Sequence, residues 1–534
     1  MIPIICFSAG CCVGRRRAFG RNSMTTQQIL ICLTIVLYLA FITCVGVYFN
    51  RRGSGANTDE YYLGGRKMGP LVVAMSAEAS DMSGWLLMGL PGLAYLSGVA
   101  EPFWTAVGLA VGTYFNWLLV AKRLRRYSAR LGAITIPGFF SRRYKDDRHI
   151  ISCIAAVIIV IFFVPYVASG FKAIGTLFST LFGVEYHITM LVGAAIIIVY
   201  TVLGGLAAVA TIDLIQSVVM SIALISIVCF GIIQAGGWDQ VVSNAQGMAG
   251  YLNVFQGCNT VTGEAGTYGT LAIVSTLAWG LGYFGMPHIL VRFMSIEDEE
   301  KLTISRRVGS IWVVIAMGVA ILIGVVGSSV SKAGRIVTLT TSADSETIVI
   351  QLANLLSQYG VVFALLAGVT LAGIMASTMS TADSQLLAAA SSMSEDLLHS
   401  FLGIKMDNKT SMLFARGTVV IIAIVGAVLA WNPSSSVFRI VSFAWAGFGA
   451  TFGPAMLCAL FWKRSNRQGI MAGLVAGGAM VFIWKFAVRP LGGVWDIYEL
   501  LPAFLVALAA IVIVSLATPA PEAEIVKAFE EYDK

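Results

Sequence analysis

The sequence predicts an all-α polytopic membrane protein of about 13 transmembrane helices, built around a five-plus-five inverted-repeat core with discontinuous helices two and seven. Three observations predict it. The 534-residue chain is 57% hydrophobic and 12% charged, against roughly 45–50% and 25% in soluble domains. Apolar runs of bilayer-spanning length recur from end to end, without the short alternating segments of a β-barrel. Two of these runs are interrupted by glycine, proline and polar residues at corresponding places.

Spans are expected at about 27–49, 68–99, 103–121, 149–180, 188–203, 206–236, 268–294, 306–331, 353–398, 411–431, 435–462, 468–488 and 498–517. The loops between them are asymmetric in Lys and Arg. One set (51–67, 121–149, 292–307, 398–416, 463–468 and the C-terminus) holds 25 of the 35 basic residues. The other set holds Lys332, Arg335, Arg439, Lys485 and Arg489. The positive-inside rule makes the first set cytoplasmic, with the N-terminus outside and the C-terminus inside. The net charge of +7 therefore records topology and implies no nucleic-acid partner. Arg15, Arg16, Arg17 and Arg21 break this rule, and Met24-Thr25-Thr26 reads as a more ordinary beginning. Residues 1–23 are accordingly expected to be a non-native or disordered extension, residues 24–517 a single membrane domain, and residues 518–534 a short cytoplasmic tail. The repeats are expected at about 68–236 and 268–462.

The second span contains Ser76-Ala77-Glu78-Ala79-Ser80-Asp81-Met82-Ser83-Gly84-Trp85, followed by Pro91-Gly92. Carboxylates at membrane depth are costly and are placed there mostly for function. Gly and Pro free backbone carbonyls that something else must satisfy. An unwound helix lining an ion or solute site meets both demands. The seventh span, Trp279-Gly280-Leu281-Gly282-Tyr283-Phe284-Gly285-Met286-Pro287, is broken in the same way five helices later.

In the ninth span Ser377, Ser380 and Thr381 share one helical face. Their hydroxyls suit a small hard cation, and they equally suit back-bonding to the preceding turn. Asp81 attracts a cation or holds the unwound segment, or else caps the half-helix beginning near Gly84, and these roles can coexist. Asp213 either lines an exit path or pairs with an Arg, and Asp383 is open between an ion path and helix packing. Lys172 is expected to snorkel. Trp279, Tyr283 and Pro287, spaced by four, form either a packing stripe or a receptor for an apolar ring. The four histidines and nine cysteines offer no metal spacing or nucleophilic triad, and no phosphate-cradling loop occurs. An enzyme is therefore not expected, no cofactor is implied, and an ion gradient is the expected driving force for any concentrative transport.

Ala79-Ser80-Asp81-Met82-Ser83-Gly84-Trp85-Leu86-Leu87-Met88-Gly89-Leu90-Pro91-Gly92, Trp279 to Leu290, and Met379-Ser380-Thr381 with Ser384-Gln385-Leu386-Leu387 resemble the sodium:solute symporter family, in its proline-carrying branch. Tyr62-Leu63-Gly64-Gly65-Arg66 and Leu203-Gly204-Gly205 agree with it. The resemblance implies uptake of one sodium ion with each L-proline across the cell membrane, with the lipid bilayer and no obligatory protein as partner. It implies sodium ligation by backbone carbonyls of Ala79, Met82 and Ser377 and by the hydroxyls of Ser380 and Thr381. It implies proline contacts from Tyr166, Trp279, Tyr283 and Pro287, and roles in coupling or the ion path for Asp81, Ser83, Gly84 and Asp213. Glu78 and Asp383 depart from the family pattern, which leaves a proton or lithium open in sodium's place. Another small solute on the same machine, or a membrane sensor or channel of the same fold, are the alternatives. The short tail argues against a sensor.

Overall fold

The computed structural model describes residues 24–52, 62–203, 206–404 and 408–533. The expected extension 1–23 and the pair Gly204-Gly205 lie outside the described residues. Apart from a hairpin pairing Gln256–Asn259 with Glu264–Thr267, the regular structure is helical, with one isolated bridge from Met68 to Ile296. Among the described residues nine helices are long and apolar enough to cross a membrane. They cover nine of the expected spans. The remaining four are the two broken spans and the apolar helices Tyr186–Leu203 and Asn408–Leu429.

The helices that position the site are numbered as follows. They are α1 (Thr26–Arg52), α2 (Pro70–Asp81), α3 (Leu90–Ser97), α4 (Ala100–Phe115), α5 (Lys122–Arg130), α6 (Ile150–Phe182), α7 (Tyr186–Leu203) and α8 (Leu206–Gln234). They continue with α9 (Thr270–Leu277), α10 (Pro287–Ser295), α11 (Leu302–Lys332), α12 (Ile348–Ser357), α13 (Val361–Ser391), α14 (Asn408–Leu429), α15 (Val437–Phe461) and α16 (Ala523–Asp533).

The ninth span begins later than expected. Residues 353–357 belong to the separate helix α12, and the chain turns at Gly360 before α13. Gly360 has φ +118, a conformation that a side chain disfavours, so hydropathy continues across a point where the helix cannot.

Packing is reciprocal between the two sets of five. The α2 segment packs on α8, as the broken seventh helix packs on α15. Likewise α4 meets the seventh helix as α11 meets α2 and α3, and α6 meets α15 as α8 meets α13. Corresponding helices exchanging corresponding partners is what a pseudo-twofold axis in the membrane plane produces.

The tightest crossing is between α4 and the seventh helix. A Cβ at Gly112 would lie 2.3 Å from the Gly280 carbonyl oxygen, and one at Gly280 would lie 2.2 Å from that of Gly108. Small residues let the two backbones touch, the ordinary basis of close helix association in lipid.

Two basic residues counted among the loops are interior. Arg292 is fully buried near the end of α10, and Arg143 is buried beneath α16. The Arg143 guanidinium lies 4.9 Å from the Tyr144 ring centre and 5.0 Å from that of Phe529 on α16. The expected tail thus carries a docked helix, held also by Lys145–Glu524 and Lys463–Glu530 ion pairs.

Replacing Gly112 by Leu should prevent the crossing from closing. Overpacking typically costs 1–3 kcal/mol, and here the obstacle is backbone. We expect a clear drop in thermal unfolding midpoint in detergent, with the outward-facing Phe103→Leu change nearly neutral.

Candidate ion and solute site

Helix α2 ends at Asp81, because Asp-Met-Ser-Gly supplies little helix propensity and Gly84 follows at once. The Met82 amide closes the last helical bond onto Glu78 O (2.9 Å), and Met82 itself leaves the helix with ψ 68. Residues Trp85–Gly89 then form a π-helical turn, and Pro91, which lacks an N–H, follows inside α3. In the seventh helix α9 tightens into a 3-10 stretch over Ala278–Gly285. Met286 is extended, and Pro287 starts α10. Both expected breaks are therefore present.

The end of α2 faces the hydroxyl-bearing side of α13. The Ser380 hydroxyl donates to Ala79 O at 2.8 Å and to Ser377 O at 3.1 Å. The Thr381 hydroxyl lies 3.4 Å from Ala79 O and 3.1 Å from Ser377 O. Two carbonyl and two hydroxyl oxygens thus converge in a buried place. The hydroxyls back-bond within α13 and also reach across to α2. Met82 stands at the break three residues beyond Ala79, without a hydrogen bond to this group among the described residues.

Asp81 joins the two broken helices. Its Oδ2 accepts from the Tyr283 hydroxyl at 2.5 Å, while Oδ1 is buried without a hydrogen-bond partner. The Asp81 carbonyl accepts from Trp85 Nε1 at 3.0 Å and from the Tyr166 hydroxyl at 3.3 Å. Tyr166, Tyr283, Asp81 and the first break are therefore one cluster. Ser83 and Gly84 lie within that break and are buried, Gly84 against Ala173 and Thr378.

Trp279 sits above this cluster, 5.0 Å from the Tyr498 ring, 5.2 Å from Phe438 and 6.4 Å from Trp85. It lines a vestibule of about 910 Å³. Pro287 is buried at the start of α10, and its neighbour His288 packs edge-on to Phe163 and Tyr166.

On the other side of the cluster lies a buried ion pair. Arg292 pairs with Asp213 at 3.0 Å, both buried. Ser76 donates to Asp213 at 2.6 Å, and Arg292 also reaches Ser76, Ser384 and the His288 carbonyl. Asp383 is buried within the field of this pair. Arg292 had no signal of its own in the sequence, and its meeting with Ser76 and Ser384 depends on three distant helices. Glu78 accepts from Trp117 Nε1 at 2.8 Å and Thr113 at 3.2 Å. Lys172 is buried rather than snorkelling, its amine on the Pro433 carbonyl and 4.9 Å from the Tyr186 ring centre. Among the described residues no three or more His, Cys, Asp or Glu side chains gather as a metal centre would require.

Residues 61–477 match the sodium:solute symporter family. The chain belongs to that family. It is 38% identical over 498 residues to the sodium/proline symporters of Staphylococcus aureus strains JH9 and NCTC 8325, covering 92% of this chain and 93% of each relative. In fold it is similar to a sodium-coupled sialic acid symporter in a substrate-bound outward-open state, with a TM-score of 0.74 at 16% identity, covering 92% of this chain and 99% of that one. Mhp1, a nucleobase-cation-symport-1 family transporter in a closed conformation, gives 0.52 at 14% identity, covering 89% and 99%. The chain is thus a sodium-coupled symporter and a multi-pass membrane protein, not an enzyme.

Arg292→Met should leave Asp213 buried and unpaired, a change that typically costs 3–5 kcal/mol. The unfolding midpoint should fall sharply. Adding Asp213→Asn, which removes the stranded charge, should restore much of it.

Proposed function

We propose that this symporter takes up L-proline together with sodium across the cell membrane by alternating access. The observation that carries the reading is the convergence of Ala79, Ser377, Ser380 and Thr381 beside a break that also holds Asp81 and Tyr283. The identity to sodium/proline symporters over nearly the whole chain supports proline as the solute.

In this reading sodium takes the carbonyls of Ala79 and Ser377 and the hydroxyls of Ser380 and Thr381, whose lone pairs turn to the ion. Met82 supplies a fifth oxygen from the unwound turn. Sodium so bound orders residues 81–84, and the ordered turn presents Asp81, Ser83 and Gly84 to the solute. Tyr166, Trp279, Tyr283 and Pro287 cover the pyrrolidine ring. Sodium raises proline affinity, and by linkage proline raises sodium affinity by the same factor. Opening the Arg292–Asp213 closure then releases both on the opposite face, with Asp213 on the ion's way out.

The face bearing α5, Lys145, Lys463 and α16 is the cytoplasmic one in this reading, following the excess of Lys and Arg there. The vestibule then opens outward, the N-terminus is outside, and the C-terminus is inside.

Purified protein in liposomes should concentrate labelled L-proline only under an inward sodium gradient. Uptake indifferent to sodium but driven by a proton gradient would replace the ion, and uptake of a different solute alone would replace proline. Ser380→Ala with Thr381→Ala should lower apparent sodium affinity at least about tenfold, since each change removes an oxygen ligand, and should also lower the unfolding midpoint, since the Ala79 carbonyl loses both hydroxyl partners. An unchanged sodium dependence in that variant would remove this site. Tyr283→Phe deletes a hydrogen bond to a carboxylate, worth about 1.5–3 kcal/mol. The KM for proline should rise by at most roughly 10- to 100-fold, since the bond lost joins Tyr283 to Asp81 rather than to the solute.

A further inference from the structure

Helix α16 has one apolar face. Ile525 and Phe529, one turn apart, are buried, while Glu524, Lys527, Glu530 and Glu531 are exposed. The Phe529 ring packs on Arg143, whose guanidinium also lies 5.4 Å from the ring centre of Tyr127 on α5. Arg143 Nε donates to the Ala459 carbonyl near the end of α15 at 3.2 Å, and both terminal nitrogens are buried without a hydrogen-bond partner. Polar ties surround this contact. Lys145 pairs with Glu524, Lys463 pairs with Glu530 at 2.9 Å, and Arg130 on α5 donates to the Glu531 carbonyl at 3.1 Å. The helix thus ties the end of α5 to the end of α15.

From α5 the contacts lead to the buried ion pair. Helix α5 packs on α10, and Arg125 Nε donates to the Ile296 carbonyl, just beyond α10, at 2.7 Å. Helix α10 carries Arg292, the partner of Asp213. A brace on α5 is therefore a brace on the helix that holds the pair shut. The brace is also easily released. An 11-residue helix is marginal by itself in water. Its ion pairs are exposed, so each is weak and screened by salt. Undocking exposes the Arg143 nitrogens to water, and that hydration offsets part of the lost ring contact.

We propose that α16 is a salt-sensitive latch on the transport cycle. Docked, it holds α5 and α10 where Arg292 meets Asp213, and the inner side stays shut. Released, it frees α10 to move, and the inner side opens more often. Rising ionic strength on this face weakens the ties from Lys145 and Lys463 and speeds turnover. The assignment rests on the reading of Arg292–Asp213 as the inner closure.

The test uses the full-length protein in liposomes, on a background without its native cysteines. Spin labels at exposed Lys527 and Lys301 report docking. Ser391 lines a small cavity with Arg292 and Ser384, so the rate of maleimide labelling of Ser391→Cys reports opening. Sodium-driven uptake of labelled L-proline reports turnover. Raising choline chloride on the α16 side from about 0.15 to about 1 M shortens the screening length from about 8 to about 3 Å. The spin-label distance should broaden. Labelling and uptake should each rise at least about threefold, the scale of losing one or two exposed charge contacts. Phe529→Ala should do the same at low salt and abolish the salt response. Lys463→Glu should loosen docking, and adding Glu530→Lys should restore it, which a misfolded tail would not do. Release of α16 with labelling and uptake both unchanged would overturn the latch, as would docking that persists through high salt and Phe529→Ala. Faster uptake with unchanged Ser391→Cys labelling would support the latch and remove Arg292–Asp213 as the closure on which it acts. Faster labelling on release, in a protein that takes up no proline, would support the latch and remove proline as the solute.

Discussion

The structure turns on the carbonyl oxygen of Ala79. In the hydrocarbon interior a backbone oxygen without a partner costs several kcal/mol, so a helix can stop there only if another element supplies what the next turn would have supplied. The next turn is missing because Met82 leaves the helix. Ser380 and Thr381, 301 and 302 residues further on, take its place. That contact sets α13 against α2 in rotation and height, with Ser380 and Thr381 on the face that meets Ala79. Bonds from neutral hydroxyls are worth little in net terms and can be exchanged for a cation. In the proposed reading the same contact is a closure without the ion and a set of ligands with it.

The second break obeys the same constraint by another route. The seventh helix tightens to 3-10 geometry, and Pro287 removes one donor. The Trp279 carbonyl exposed by the change accepts from Trp445 Nε1 at 2.8 Å, and that of Tyr283 accepts from Asn116 Nδ2 at 2.9 Å. Trp445 is on α15 and Asn116 follows α4, the two helices packed most closely on the seventh. The glycines at 108, 112 and 280 bring α4 near enough for Asn116 to reach. Tyr283 then carries the second break back to the first through Asp81, so a change at either break is felt at the other.

What was legible in the sequence follows from this. Breaks announce themselves, because glycine, proline and carboxylates are out of place in an apolar run, and the hydroxyl face of α13 is visible through helical spacing. Asp81 could be read as attracting a cation, holding the unwound segment or capping, and the structure shows it bridging the two breaks through Tyr283. The start of α13 was misplaced because hydropathy does not register a turn at Gly360. Arg292 was counted as a loop charge because a basic residue near the end of a span is ordinarily at the surface. Its burial depends on Asp213, Ser76 and Ser384 arriving from three other segments, and no local pattern encodes that meeting. Lys172 misled for the same reason, its partner being a carbonyl 261 residues away.

The two sides of the site are closed by different physics. Toward the vestibule the barrier is a stack of aromatic rings, Trp279 with Tyr498 and Phe438, which can slide apart with modest loss of contact because each ring keeps other neighbours. Toward the opposite face the barrier is a buried ion pair braced by two serines. Separating Arg292 from Asp213 in a low-dielectric interior is prohibitive unless water or another charge takes the vacated place. In the proposed reading, sodium leaving the Ala79–Ser380 group along α13 passes Asp383 and Ser384 and arrives at Asp213 as that other charge. On the proposed reading the ion is then both cargo and the agent that frees Asp213 from Arg292. An inner side sealed by charge would open readily only when a cation is present to open it, which is the condition a coupled carrier needs to keep its gradient from leaking.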